Sequence, residues 1–160
     1  MPSTILMECS ELLKDKNLKV AFAESATAGR LCYEFSLTEH AGKFLKGSLV
    51  SYDVDVKQDS LRVQRSLIDA YTPESAEVTE AMTSGLKDLV PADIYLAVTG
   101  LTTSGGSETA EKPVGTMFIN MRFNGTMFTD RIVFGGSPEE IVLQTVDRVA
   151  FLIIQTIKSI

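Results

Sequence analysis

Short β-like runs alternate with segments of helical apolar spacing, and this alternation limits the folds open to the chain. Over residues 1–99, the predicted elements are helix 3–16, strand 18–23, helix 25–42, strand 47–53, helix 74–89 and strand 93–99. Two short helical pieces with a break between them are also predicted over 54–72. Such alternation is typical of α/β folds, in which helices connect the strands of a largely parallel sheet.

A hairpin and a long helix complete the predicted architecture. Asn124–Gly125 lies between two β-like runs, 114–123 and 126–134, and suits a type I′ turn. Ser137, Pro138 and two glutamates then open an amphipathic helix that runs to the last residue. We therefore predict a three-layer α/β/α sandwich with a mixed, mostly parallel sheet and a C-terminal antiparallel hairpin.

Size and charge exclude several functional classes. A chain of 160 residues fits one domain, 1–160. Its net charge is −6 and its basic residues are scattered, which opposes binding to nucleic acid. No apolar run reaches the roughly 18 residues of a membrane span, and the N-terminus lacks a basic secretory region. We expect no nucleic-acid or membrane partner and, by default, a cytoplasmic location.

The two cysteines and one histidine lack the ligand spacing of a zinc site. We therefore expect no zinc site, and we expect no other cofactor. A small anionic ligand remains compatible with the negative net charge, because backbone N–H groups can bind phosphate.

Three predicted strands end in small or polar residues, at 24–27, 51–53 and 99–100. Ligands of α/β sheets bind beyond the carboxyl ends of the strands. We therefore expect Ser25, Tyr52, Lys57 and Thr99 to converge on one pocket at that edge. The alternative for Ser25 and Thr27 is simple capping of the following helix.

Lys57 is the candidate base of this pocket. A lysine against apolar walls can lose its proton, because burial disfavours the charged form, and a nearby serine then becomes a nucleophile. The alternatives are an exposed helix lysine at Lys57 and a half-buried strand aromatic at Tyr52.

Residues 99–116 form an unusually long connection, rich in Thr, Ser, Gly and Glu. Gly105–Gly106 allows close backbone approach to a ligand. We predict that the 100–112 segment folds over the pocket and directs N–H groups into it. A mobile surface loop is the alternative.

Three ordered motifs, "AESATAGR", "VSYDVDVK" and "VTGLTTSGG…EKPVGT", resemble the CinA C-terminal domain family of nicotinamide-nucleotide amidases. That family typically reads A-E-S-C-T-G-G, V-T-Y-S-N-E-A-K and T-G-I-A-G-P-G-G…K-P-V-G-T-V. The resemblance spans essentially the whole chain, whose length is similar to that of stand-alone members.

The resemblance implies an α/β sandwich, commonly a homodimer, that hydrolyses the carboxamide of nicotinamide mononucleotide to nicotinate mononucleotide and ammonia without metal. It implies attack by a serine with a lysine as base, and loop amides on the phosphate or ribose. The catalytic candidates are Lys57, Tyr52, Ser25 and Ser48. The candidates for binding substrate are Glu24, Thr27, Thr99, Gly100, Gly105, Gly106 and Lys112.

Several positions depart from the family pattern. Ala26 and Ala28 replace the Cys and the first Gly of the first motif. The serine that serves as the family nucleophile falls on Gly42, so Ser25 or Ser48 would have to substitute for it. The arginines that open the last helix fall on Pro138 and Val142, which weakens the case for an anionic substrate.

Two functional hypotheses remain open from sequence. One is a weak or altered nicotinamide-nucleotide amidase, or an amidase for a different amide. The other is a catalytically inactive family member that binds a nucleotide-like ligand or a partner protein. A hydrogen bond between Lys57 Nζ and a serine hydroxyl favours the enzyme.

Overall fold

The computed structural model describes residues 1–160, with a five-stranded sheet in the order β2–β1–β3–β4–β5. Its strands are β1 (Val20–Glu24), β2 (Leu45–Val50), β3 (Ile94–Gly100), β4 (Thr116–Phe123) and β5 (Thr126–Val133). β2, β1 and β3 are parallel, and β4 is antiparallel to both β3 and β5. The predicted mixed sheet and hairpin are therefore confirmed.

Seven helices cover the two faces of the sheet. They are α1 (Thr4–Asp15), α2 (Arg30–Ser36), α3 (Ala41–Phe44), α4 (Val54–Leu61), α5 (Arg65–Tyr71), α6 (Ala76–Leu89) and α7 (Pro138–Lys158). None of them combines the length and apolar character that a membrane crossing requires.

Side-chain alternation along the strands divides the core into two layers. On β1, Val20 and Phe22 pack with α1, α2, α3 and α7, whereas Ala21 and Ala23 pack with α4, α5 and α6. Because successive side chains of a strand point to opposite faces, β1 and β3 each contribute to both clusters. The result is the predicted three-layer sandwich.

The prediction of one helix over 25–42 is wrong. Residues 25–29 form a turn instead, because Ala28 and Gly29 have φ angles of 48° and 95°, outside the right-handed helical region. The helix begins only at Arg30, and a second break precedes α3. This turn holds Ser25 at the carboxyl edge of the sheet, directly after β1.

Candidate active site

Lys57 and Ser25 form a buried hydrogen-bonded pair at the carboxyl edge of the sheet. Lys57 Nζ lies 2.9 Å from Ser25 Oγ. Only 1% of Lys57 and 9% of Ser25 is exposed. Ser25 follows β1, and Lys57 lies in α4, which begins just after the neighbouring parallel strand β2. Parallel pairing thus brings together two residues that are 32 positions apart in the chain.

Two backbone carbonyls complete the surroundings of the amine. Lys57 Nζ lies 2.7 Å from the oxygen of Ser51 and 3.0 Å from that of Tyr52. A neutral amine has two N–H donors and one lone pair. The two carbonyls can accept its two protons while the lone pair faces the Ser25 hydroxyl. This arrangement therefore suits a lysine that accepts a proton from serine.

Burial lowers the pKa of Lys57 below its ordinary value of 10.5. The negative charges of Glu74 and Asp53 act in the opposite direction and raise this pKa, but the loss of hydration is larger. The neutral form needed in a base is therefore reached at lower pH than for an exposed lysine.

The turn after Ser25 leaves a backbone donor beside the hydroxyl. Ser25 N–H donates to the oxygen of Val98 and its own carbonyl accepts from Ala28 N–H, which fixes the residue at both ends. The N–H of Ala26 donates no hydrogen bond within the protein. In hydrolases with a serine at a strand-to-helix turn, the amide after the serine stabilises the oxyanion.

A cavity of about 230 Å³ opens above the pair. Its lining consists of Ser25, Ala26, Tyr52, Glu74 and loop residues 100–106. Residues 100–106 of the predicted 100–112 segment therefore fold over the pocket, whereas 107–112 do not line it. Tyr52 is 67% exposed and lines the cavity.

The loop amides fall into two groups. The N–H groups of Gly105 and Gly106 donate to the Glu108 carboxylate at 2.8 and 2.9 Å, which lowers the pKa of Glu108. The N–H groups of residues 102–104 have no acceptor within the protein, and these residues line the cavity. The amides available to a ligand are thus those of 102–104, whereas the predicted glycine pair holds the loop's own carboxylate.

Lys112 joins the loop to the segment before α6 and does not line the cavity. Its Nζ donates to the hydroxyls of Thr72 and Ser107 and to the carbonyl of Glu74, at 2.7–2.9 Å. Ser107 in turn donates to Glu74 Oε2 at 2.5 Å. This network joins the loop to the segment before α6 and presents Glu74 to the cavity.

A separate hydrogen-bonded cluster consists of Glu24, Thr27 and Ser48. The Glu24 carboxylate accepts hydrogen bonds from both hydroxyls at 2.7 Å and from the N–H groups of Leu31 and Cys32. Those two amides belong to the first turn of α2, so the Glu24 carboxylate at the end of β1 caps the N-terminus of this helix. The structure therefore does not bring Ser48 to Lys57, nor Glu24 and Thr27 to the cavity.

Thr99 does not line the cavity, although it follows Val98, whose carbonyl accepts from Ser25 N–H. Gly42 lies away from the Lys57–Ser25 pair. The Thr99 hydroxyl is 2.9 Å from that of Thr79 in α6, so it faces the helical layer, while its neighbour Gly100 lines the cavity. Gly42 is exposed and precedes β2, whose first residue pairs with the start of β1. At about 3.3 Å per residue, it is roughly 13 Å or more from Ser25 in the same chain.

Two groups at the cavity, the Glu74 carboxylate and the N–H of Ala26, were not predicted from the sequence. The sequence pattern places Glu74 in the first turn of a helix, but α6 begins two residues later, at Ala76. The Thr-Pro pair immediately before Glu74 was the available signal for a turn there.

Comparison with known proteins places the chain in a family. The model of the CinA C-terminal domain matches residues 3–157. The chain belongs to the CinA C-terminal domain family. A CinA-like protein of Dictyoglomus thermophilum is 33% identical over 84% of this chain, and one of Thermotoga maritima is 37% identical over 78%.

The family's solved structures share the fold. A competence-damaged protein (CinA) superfamily protein from Klebsiella pneumoniae superposes with a TM-score of 0.89 at 23% identity, covering 98% of this chain and 97% of its own. The chain spans about a third of the length of the curated relatives it matches, 33% for D. thermophilum and 30% for T. maritima.

Proposed function

We propose that this chain is a carboxamide hydrolase in which Ser25 is the nucleophile and Lys57 its base. The observation that carries the proposal is the 2.9 Å contact between the buried Lys57 amine and the Ser25 hydroxyl beside a cavity. The resemblance to nicotinamide-nucleotide amidases supplies the reaction class, hydrolysis of a carboxamide to a carboxylic acid and ammonia; nicotinamide mononucleotide is the substrate that the resemblance implies.

The first half of the reaction transfers the acyl group to the protein. Ser25 Oγ attacks the carboxamide carbon as its proton passes to Lys57 Nζ. The tetrahedral intermediate collapses when the C–N bond breaks, and the Lys57 ammonium returns the proton to the leaving nitrogen, which departs as ammonia. An ester between Ser25 and the acyl group remains.

Water completes the reaction through the same pair. Neutral Lys57 takes a proton from water as its oxygen attacks the ester, and then protonates Ser25 Oγ as that bond breaks. The sum is amide plus water to carboxylic acid plus ammonia. The free N–H of Ala26 is the donor for the oxyanion in both halves.

Ammonia release by Ser25→Ala tests the nucleophile, with Ser48→Ala as the matched control. We expect Ser25→Ala to lower kcat/KM by at least about a thousandfold, because nucleophile and base act as a unit. Ser48→Ala removes a hydroxyl that contacts Glu24 and not Lys57, so its rate should stay close to wild type. A rate lost in Ser48→Ala and kept in Ser25→Ala would contradict the proposal.

A further inference from the structure

The cavity above Ser25 has an acidic and aromatic wall and no basic one. None of its eleven lining residues is Lys, Arg or His, whereas Glu74 and Tyr52 are among them. Glu74 Oε2 accepts from Ser107, and Oε1 accepts no hydrogen bond from the protein. A carboxylate oxygen is therefore available to a ligand at this wall.

The Lys and Arg side chains around this cavity are engaged by other protein groups. Arg131 in β5 donates to the carbonyl of Glu111 in the loop. Lys112 donates to three protein oxygens beneath the loop. Arg30, at the start of α2, contacts Glu34 at 2.5 Å and Glu139 at 3.4 Å. A phosphate in the cavity would thus meet the Glu74 carboxylate, with no guanidinium or ammonium group among the lining residues, and like charges at short range repel.

The glycine amides of the loop do not replace the missing cations. Gly105 and Gly106 donate to Glu108, so these two N–H groups already hold an anion, and the loop donors left for a ligand are the N–H groups of 102–104. The volume of about 230 Å³ also lies below the roughly 300–1,000 Å³ of typical ligand sites, which favours a small molecule.

We propose that the substrate of this cavity is a small carboxamide that carries a cationic nitrogen and no phosphate, and that Glu74 and Tyr52 bind its positive charge. A carboxylate paired with an exposed aromatic ring is a combination that recognises organic cations. The inference rests on the proposed amide hydrolysis and specifies its substrate class. Glu74 is then a specificity-determining residue that lines the same cavity as Ser25.

Three nicotinamide derivatives separate charge from phosphate. 1-Methylnicotinamide carries the ring cation alone, nicotinamide is neutral, and nicotinamide mononucleotide adds ribose and phosphate to the cation. For the wild-type protein we expect kcat/KM for 1-methylnicotinamide to exceed both others by about tenfold. Nicotinamide mononucleotide as the best of the three substrates would overturn the inference.

Glu74→Gln identifies the residue responsible, with Glu77→Gln as the matched control. The glutamine amide retains an acceptor for Ser107, so the loop network can persist, while Glu77 lies in the first turn of α6 and outside the cavity. Glu74→Gln should lower the ratio of kcat/KM for 1-methylnicotinamide to kcat/KM for nicotinamide about tenfold, because any effect of the lost charge on the Lys57 pKa is common to both substrates. An equal loss for both substrates would show a merely structural role and overturn the inference.

Binding measured by calorimetry with the same three compounds separates this inference from the proposed function. If no amide is hydrolysed, the proposed function fails. The substrate class still stands if 1-methylnicotinamide binds the wild type more tightly than the other two and Glu74→Gln removes that preference. Absence of any such preference in binding overturns the inference whether or not ammonia is released.

Discussion

Among single residues, the protonation state of one buried amine controls the proposed reaction. Lys57 contacts one hydroxyl and two carbonyls. The charged groups that act on it are Glu74, before α6, and Asp53, at the N-cap of α4, and both favour the ammonium form. Burial outweighs them and lowers the pKa, so a neutral lysine is reached below the ordinary 10.5.

The pH dependence of ammonia release follows from this shift. Protonated Lys57 cannot accept the Ser25 proton, so kcat/KM should be low in acid, rise with pH and level off above the lowered pKa. In Lys57→Arg the guanidinium stays protonated, so we expect ammonia release, and its increase with pH, to be lost. A rate that falls with increasing pH over the range in which Lys57 loses its proton would contradict a lysine base.

At the scale of elements, the turn between β1 and α2 determines where Ser25 lies. Ala28 has a φ of 48°, and the family pattern has glycine at this position. A residue with a Cβ is strained in the left-handed region, whereas glycine is not. The chain therefore keeps the turn geometry at some cost in stability.

Ala28→Gly should raise the free energy of unfolding by about 1 kcal/mol, because it removes this strain. Ala26→Gly, two residues earlier and without a positive φ, is the matched control. It should lower the free energy of unfolding, since glycine adds freedom to the unfolded chain. Urea denaturation of the two variants measures the difference, and a loss of stability in both would contradict the strained turn.

At the scale of the whole molecule, strand order brings the site together. The ends of β2, β1 and β3 meet at one edge, and the loop after β3 covers it. The alternation of helices and strands was sufficient to predict this edge, because parallel strands present their carboxyl ends together. It also correctly indicated that Ser25, Tyr52 and the loop lie near one another.

Side-chain direction was the part that the sequence could not supply. Sequence alone makes Ser25 and Ser48 equivalent candidates, but the strand register places Ser48 beside Phe22, and its hydroxyl donates to Glu24. Thr99 faces α6 because strand side chains alternate, and a one-residue shift would have reversed this. Glu74 depends on contacts between distant segments, which no local pattern encodes.

The decisive measurement for the Ser25–Lys57 mechanism is whether an activated ester acylates Ser25. p-Nitrophenyl acetate offers an activated acyl group that does not depend on the identity of the natural amide, and peptide mass spectrometry locates the acetyl group. We predict rapid acetylation of Ser25 in the wild type, and its loss in Lys57→Met, which keeps most of the buried side-chain volume. Acetylation of other serines, or of Lys57 itself, at rates equal to or above that of Ser25 would contradict the account.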